Sequence, residues 1–287
     1  MKKNDWLFEI TPKNNLLDVN LKEVWQYRDL LFLFVKRDVI TLYKQTILGP
    51  LWYIIQPLFT SVIFTLVFNN IAEIPTNGIP AFLFNLTGIT AWNYFKDCLI
   101  NTSDTFKKNE AIFGKVYFPR VIMPTSIVLS NLLKFGIQIV ILACFYGYYV
   151  YEGMAFSISA DILYFPVLIV SMGMLGLGLG MIISSMVTKY RDLTFLISFG
   201  VQLLMYLSAV VYPVEVAKEK MQNYPIISSF IEYNPMTTVI ETFRNIILGT
   251  GEVSLIKISY LFLVSFILLL FGLAIFNKTE KSFIDTI

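Results

Sequence analysis

The side chains that could do chemistry in this sequence point to charge recognition rather than to bond making. The 287 residues include no histidine, so a His-based metal site or a Ser-His-Asp triad lacks its base. No G-x-x-x-x-G-K-[ST] run occurs, which removes the P-loop as a way of holding ATP. Cys98 and Cys144 fall inside long apolar stretches and read as small hydrophobes. Glu73, Asp97, Glu152, Asp161 and Asp192 lie near the ends of such stretches, so a proton or sodium relay loses support. Arg37 and Lys44 stand just before the first long apolar run, placed to attract an anionic group at a membrane surface. Lys134 lies deeper, with Asn131 and Gln138 at helical distance. An unpaired ammonium there costs about 3 kcal/mol or more, so it either snorkels to the surface or meets an anionic lipid headgroup. Trp52, Tyr53, Phe59 and Tyr206 lie within apolar runs. Packing and lipid contact are the ordinary roles of such rings, and flat amphipathic rings also offer a sugar chain apolar faces with polar handles.

The elements that must position these groups are membrane helices. The chain is 56% hydrophobic and only 15% charged, far from the balance of a soluble domain. Apolar stretches near 51–73, 80–101, 122–150, 162–187, 193–214 and 254–276 each approach the roughly 20 residues that span about 30 Å of hydrocarbon. The expected fold class is therefore all-α integral membrane, with six transmembrane helices over 51–276. Lys and Arg crowd 1–50, 107–120, 189–191 and 278–281, whereas 74–79 and 151–161 have none. The positive-inside rule then makes both termini cytoplasmic. The net charge of +2 is spread along one membrane face and is no nucleic-acid signal. No cleavable signal is expected, because LLFLFV at 30–35 is short and runs into charge.

Before the first span, 21–45 has the alternation of basic and apolar residues of an amphipathic helix lying in the interface. Gly49-Pro50 marks a break, with Pro50 suited to the first turn of the next helix. The PTNG turn at 75–78 predicts a tight hairpin between spans one and two. The charged loop at 102–120 either is an ordinary solvated loop or forms one brief helix that a partner protein can grip. The glycines from Gly173 to Gly180 follow no strand, so they read as close helix packing rather than as a dinucleotide fingerprint. Segment 213–253 alternates short apolar runs with Pro225, Asn234, Pro235 and Gly249, the pattern of either a re-entrant pair or a surface hairpin.

Four separated blocks carry a resemblance: RDVITLYKQTILGPLWYIIQP (37–57), KVYFPRVIMP (115–124), KYRDLTFLISFGVQLLMYLSAVVYP (189–213) and YNPMTTVIETFRNIILG (233–249). Together the chain resembles the membrane subunits of ABC-2 type polysaccharide exporters, the permeases for O-antigen, capsule and teichoic acid. The resemblance implies a homodimer of six-span subunits in a bacterial inner membrane, with an N-terminal amphipathic interface helix and re-entrant gate helices between spans five and six. It further implies two copies of a separate ATP-binding cassette subunit, which carries the ATP and Mg, so this chain has no cofactor and no catalytic or metal residue of its own. Undecaprenyl-linked polysaccharide, O-antigen before capsule or teichoic acid, is the implied cargo, moving among membrane lipids. The parts map onto this chain as an N-terminal segment at 1–50, a transmembrane domain at 51–276 with a coupling loop at 104–120 and a gate at 215–249, and a tail at 277–287. Substrate access falls to Arg37 and Lys44, channel lining to Trp52, Tyr53, Phe59 and Tyr206, and coupling to the ATPase to Lys107, Lys108 and Phe113. An ABC-2 exporter of small hydrophobic compounds is a rival reading. An intramembrane glycosyl- or phosphotransferase would need clustered carboxylates or a metal site.

Overall fold

The computed structural model describes residues 21–44, 48–113, 116, 118–154, 156, 160–190, 192–249 and 251–284. Among them are twelve α-helices and no strand. They are α1 (Leu21–Gln26), α2 (Arg28–Tyr43), α3 (Trp52–Phe64), α4 (Ala81–Ser103), α5 (Thr105–Phe113), α6 (Ile122–Tyr151), α7 (Phe165–Lys189), α8 (Leu193–Tyr206), α9 (Val214–Lys220), α10 (Pro225–Tyr233), α11 (Pro235–Leu248) and α12 (Leu255–Ile284). Four stretches are long and apolar enough to cross a membrane: Gly49–Ile71, Ile122–Tyr151, Asp161–Lys189 and Leu255–Glu280.

The other two expected spans differ from that standard. α4 has the length, 23 residues, but carries Asn85, Asn93, Lys96, Asp97 and Asn101. It is the hub of the fold, burying most of its side chains against α6, α7, α3 and α11. A helix wrapped by other helices tolerates polar side chains that lipid would reject. α8 stops at Tyr206 after 14 residues, about 21 Å at 1.5 Å per residue, short of the roughly 30 Å of hydrocarbon. The apolar run continues to Tyr212, but the backbone from Leu207 leaves the helix.

Local chemistry sets the other boundaries. Gly49 takes φ +47°, the left-handed conformation that glycine adopts without steric cost, and a 3₁₀ turn at Gly49–Leu51 feeds α3. Asn77 and Gly78 have φ of 53° and 81° and close the α3–α4 hairpin. The last part of the first span, Thr65–Ile71, is π-helical, and buried Asn85 of α4 donates to Thr65 Oγ1 at 3.1 Å and Asn69 Oδ1 at 2.8 Å within it. The glycine run in α7 packs on two sides. Gly176 and Gly180 lie against Cys98 and Thr102 of α4, and Gly178 lies backbone to backbone with Leu268 and Gly272 of α12.

Candidate functional site

Two polar assemblies and one open helix face stand out from the apolar bundle. The first lies at the basal end, where α2, α5, the start of α6 and the end of α12 converge. Five phenylalanines hold it together: Phe106 stacks on Phe276 with ring centroids 4.5 Å apart and meets Phe113 at 5.9 Å, and Phe118 lies 6.0 Å from Phe113 and 5.8 Å from Phe34. Such contacts add about 0.5–1.5 kcal/mol each beyond area burial. Arg120 sits over Phe113 at 5.1 Å, donates to the Glu280 carbonyl at 3.3 Å and pairs with its carboxylate at 3.5 Å. Burial pulls the Arg120 guanidinium below its ordinary pKa, and the Glu280 carboxylate opposes that shift.

This base makes α5 a rigid platform. Lys107 and Lys108 are exposed on it, with Lys108 Nζ 3.1 Å from Asp104. Phe113 is turned inward, so it supports the platform instead of offering surface. Arg37 lies on α2 over the Phe34 ring at 4.9 Å and pairs with Asp38 at 2.8 Å, and Lys44 is exposed at the end of α2.

The second assembly lies at the distal end and explains why α8 stops early. Ser208, Ala209, Val210 and Val211 are almost wholly buried although their backbone is not helical, and Ala209 has φ +54°. Carbonyls in such a segment need donors. Asn234, the N-cap of α11, donates to Leu207 O at 3.2 Å and Ser208 Oγ at 3.0 Å while accepting from Met236 N. Arg244, 3% exposed, donates through Nη1 to Ala209 O at 2.9 Å and through Nη2 to Val210 O. Its guanidinium lies 3.6 Å over the Phe84 ring of α4. Gly88 makes room for it, since a Cβ there would collide with the guanidinium and with Val210 O. The planar fork of arginine suits two adjacent carbonyls as lysine does not. Blocks 189–213 and 233–249 are thus two halves of one contact, a relation that sequence spacing alone does not reveal.

The aromatic residues named from sequence are distributed over α3 and the end of α8. Trp52 and Phe59 are exposed on α3, and Tyr206, at the end of α8, lies 6.4 Å from Phe68. Tyr53 is half-buried with the Lys134 ammonium 5.3 Å from its ring. Phe59 borders an apolar groove of about 550 Å³ between α3, α4 and α6.

What sequence reading passed over is the open face of α4. Asn93, Lys96, Asp97, Ile100, Asn101 and Asp104 recur at i, i+3, i+4, i+7, i+8 and i+11, and all are half-buried while the rest of that half of the helix is covered. The signal was the polar periodicity inside a span. Among the described residues no group of three His, Cys, Asp or Glu side chains could hold a metal.

The profile of the ABC-2 type transporter family matches residues 29–248. The chain belongs to that family. It is 30% identical over 258 residues to an O-antigen export system permease protein RfbA of Klebsiella pneumoniae, covering 90% of this chain and 94% of that protein. The corresponding RfbA of Myxococcus xanthus is 24% identical over 269 residues, covering 93% and 98%. A capsule polysaccharide export inner-membrane protein CtrC of Neisseria meningitidis is 23% identical over 255 residues, covering 85% and 89%. As a family member the chain is a multi-pass inner-membrane transport permease, and its relatives export O-antigen or capsule polysaccharide.

Proposed function

We propose that this ABC-2 chain is the membrane permease of an ATP-driven exporter that moves undecaprenyl-linked polysaccharide, O-antigen in first place, across the bacterial inner membrane. The observation that carries the reading is the nearly end-to-end match to O-antigen export permeases. Capsule polysaccharide is the second reading, supported by the CtrC likeness. In this reading α4 and α8 complete six spans, α8 being extended by the clamped 207–213 segment. α10 and α11 form the re-entrant gate, both termini are cytoplasmic, and two copies make the channel. The exposed apolar faces of α3 and α8, including Phe59, Phe195 and Phe199, suit contact with a second copy or with lipid. ATP and Mg belong to the partner cassette subunit, which seats against α5.

Two measurements test this. Reversing both exposed charges, Lys107→Glu with Lys108→Glu, is expected to weaken co-purification with the cassette ATPase, or to uncouple ATP hydrolysis from export, while yield of the folded chain stays near wild type. Surface ion pairs contribute at most about 1 kcal/mol, so an effect well beyond that on association locates the docking surface. Unchanged association and export would remove α5 from that role. For orientation, single cysteines at exposed Asn77 and Asn223, in a Cys-free background, should react with impermeant thiol reagents on sealed cells. One at exposed Glu110 should react only after lysis, and labelling of Glu110→Cys in sealed cells would invert the topology. Asn109 is unsuitable as a reporter because it is buried and donates to Thr105 O.

A further inference from the structure

The apolar groove between α3, α4 and α6 is bordered by Ile55, Phe59 and Val62 of α3, Phe82 of α4, and Phe145 and Tyr149 of α6. Phe82 and Phe145 meet edge to face there, with ring centroids 4.9 Å apart. The α3 and α6 walls belong to stretches long and apolar enough to cross a membrane, and Val62 stands near the middle of Gly49–Ile71, so the groove opens on hydrocarbon. An acyl chain in that place has already left water. What holds it is dispersion contact with the walls, the force that also packs membrane helices against one another. Such contact accepts any lipid tail, so selection among lipids has to come from polar groups at the end of the groove.

Those groups are acidic. α6 runs on from Phe145 and Tyr149 to its C-cap Glu152, which keeps helical dihedrals and donates its backbone N–H to Tyr148 O at 3.0 Å. Phe145, Tyr149 and Glu152 therefore follow one another at i, i+4 and i+7 along one face of the helix, with Glu152 about 10 Å beyond Phe145. Tyr148 Oη donates to Glu152 Oε1 at 2.5 Å, and the Tyr148 ring lies 5.5 Å from the Tyr149 ring that borders the groove. The carboxylate is thus held at the distal end of the groove. Glu152 is exposed and forms no ion pair among the described residues. Glu73, just past the distal end of the first span, is a second exposed acid, and 74–79 and 151–161 contain no Lys or Arg. This rim repels an anionic headgroup and calls for a cation.

We infer that the groove and its acidic rim bind phosphatidylethanolamine from the leaflet at the distal face, with one acyl chain between Phe59, Val62, Phe145 and Tyr149 and the ammonium on the Glu152 carboxylate. A primary ammonium donates charge-assisted hydrogen bonds to a carboxylate. The quaternary ammonium of phosphatidylcholine has no N–H to give, and phosphatidylglycerol has no cation. The Tyr149 hydroxyl supplies a donor for the phosphodiester. A second copy of the chain fits less well: α8, the other open apolar face, carries no charge from Leu193 to Tyr206, so its rings could fill the groove but could not answer Glu152. The inference needs α3 and α6 to span the membrane and needs nothing of the transport reading. Retention of lipid is measured without ATPase or glycan, so the two can fail separately.

The test uses the full chain in nanodiscs containing phosphatidylethanolamine, phosphatidylcholine and phosphatidylglycerol in equal parts, with retained lipid identified and counted by native mass spectrometry. Wild type should retain one phosphatidylethanolamine per chain, about fivefold in preference to either of the others, the ratio that one charge contributes at a membrane surface. Glu152→Gln should abolish the preference, and Glu152→Lys should transfer it to phosphatidylglycerol. Val62→Trp should lower retention of every lipid, because Val62 is 45% exposed and a larger side chain there enters the groove instead of the core. Glu252→Gln, an exposed acid in the loop before α12, should change nothing. Equal retention of the three lipids by wild type, a preference for phosphatidylcholine or phosphatidylglycerol, or a phosphatidylethanolamine preference that survives Glu152→Gln would each overturn the assignment. So would a wild-type dimer that retains no lipid and that Val62→Trp splits into monomers, since the groove would then belong to a second copy. If Val62→Trp does not fold, the two Glu152 variants decide, and an unchanged lipid preference in both overturns the site.

Discussion

Arg244→Ala is expected to abolish most recoverable folded protein. Removing the guanidinium strands the carbonyls of Ala209 and Val210 in a buried segment, at about 1–3 kcal/mol for each unsatisfied group. It also removes the contacts that hold Ala209 in a left-handed conformation, which persists only while its surroundings enforce it. Against a total stability of about 5–15 kcal/mol, the sum is a large fraction. Arg244→Lys should rescue only in part, because one ammonium cannot reproduce the fork over two carbonyls and the Phe84 ring. Yield of monodisperse chain and its thermal midpoint provide the readout. Wild-type values for Arg244→Ala would show that the 207–213 segment holds itself.

A comparable loss is expected from Gly272→Val. A Cβ at Gly272 falls on the backbone of Gly178, and one at Gly178 falls on the backbone of Leu268 and Leu269. No rotamer change relieves such a clash, so α7 and α12 must separate along their contact. Overpacking costs about 1–3 kcal/mol and more where backbone must move, and association of membrane helices rests on this close approach. Gly136 offers an internal control, since a Cβ there meets nothing. Gly136→Ala should be neutral or gain up to about 1 kcal/mol from helix propensity. Equal melting of Gly272→Val and Gly136→Ala would mean that the α7–α12 contact contributes little.

The parts of the fold that rest on local chemistry were legible in the sequence. Gly49-Pro50 does break the chain before α3, Asn77 and Gly78 do turn the hairpin, and the glycines of α7 do serve close packing. The interface segment is helical as α1 and α2, and α5 occupies the charged loop. What was not legible rests on contacts distant in sequence. The run from Leu193 to Tyr212 is apolar without a glycine or proline at its break, and the helix ends at Tyr206 because side chains 27 to 35 residues later capture its carbonyls. Phe113 stands in a charged loop, yet Phe106, Phe118 and Arg120 enclose it. Lys96 and Asp97 look like residues at the end of a span when counted along the chain. Only the covering of the other three sides of α4 shows that they mark its open side.

The clamp between Asn234, Arg244 and the end of α8 also dictates an order of events for the nascent chain. When α8 leaves the ribosome, the groups that satisfy its last carbonyls have not yet been synthesised. Until about 40 more residues have been added, this segment has reason to remain in a polar environment or to pair with something else. A product truncated before residue 234 should therefore be degraded faster than one truncated after residue 249, although both contain the whole of α8. Exchanging 207–213 between relatives should succeed only when 234–244 travels with it. Pulse-chase half-lives of the two truncations would show whether the final shape of the fifth apolar segment is decided during its own synthesis or only afterwards.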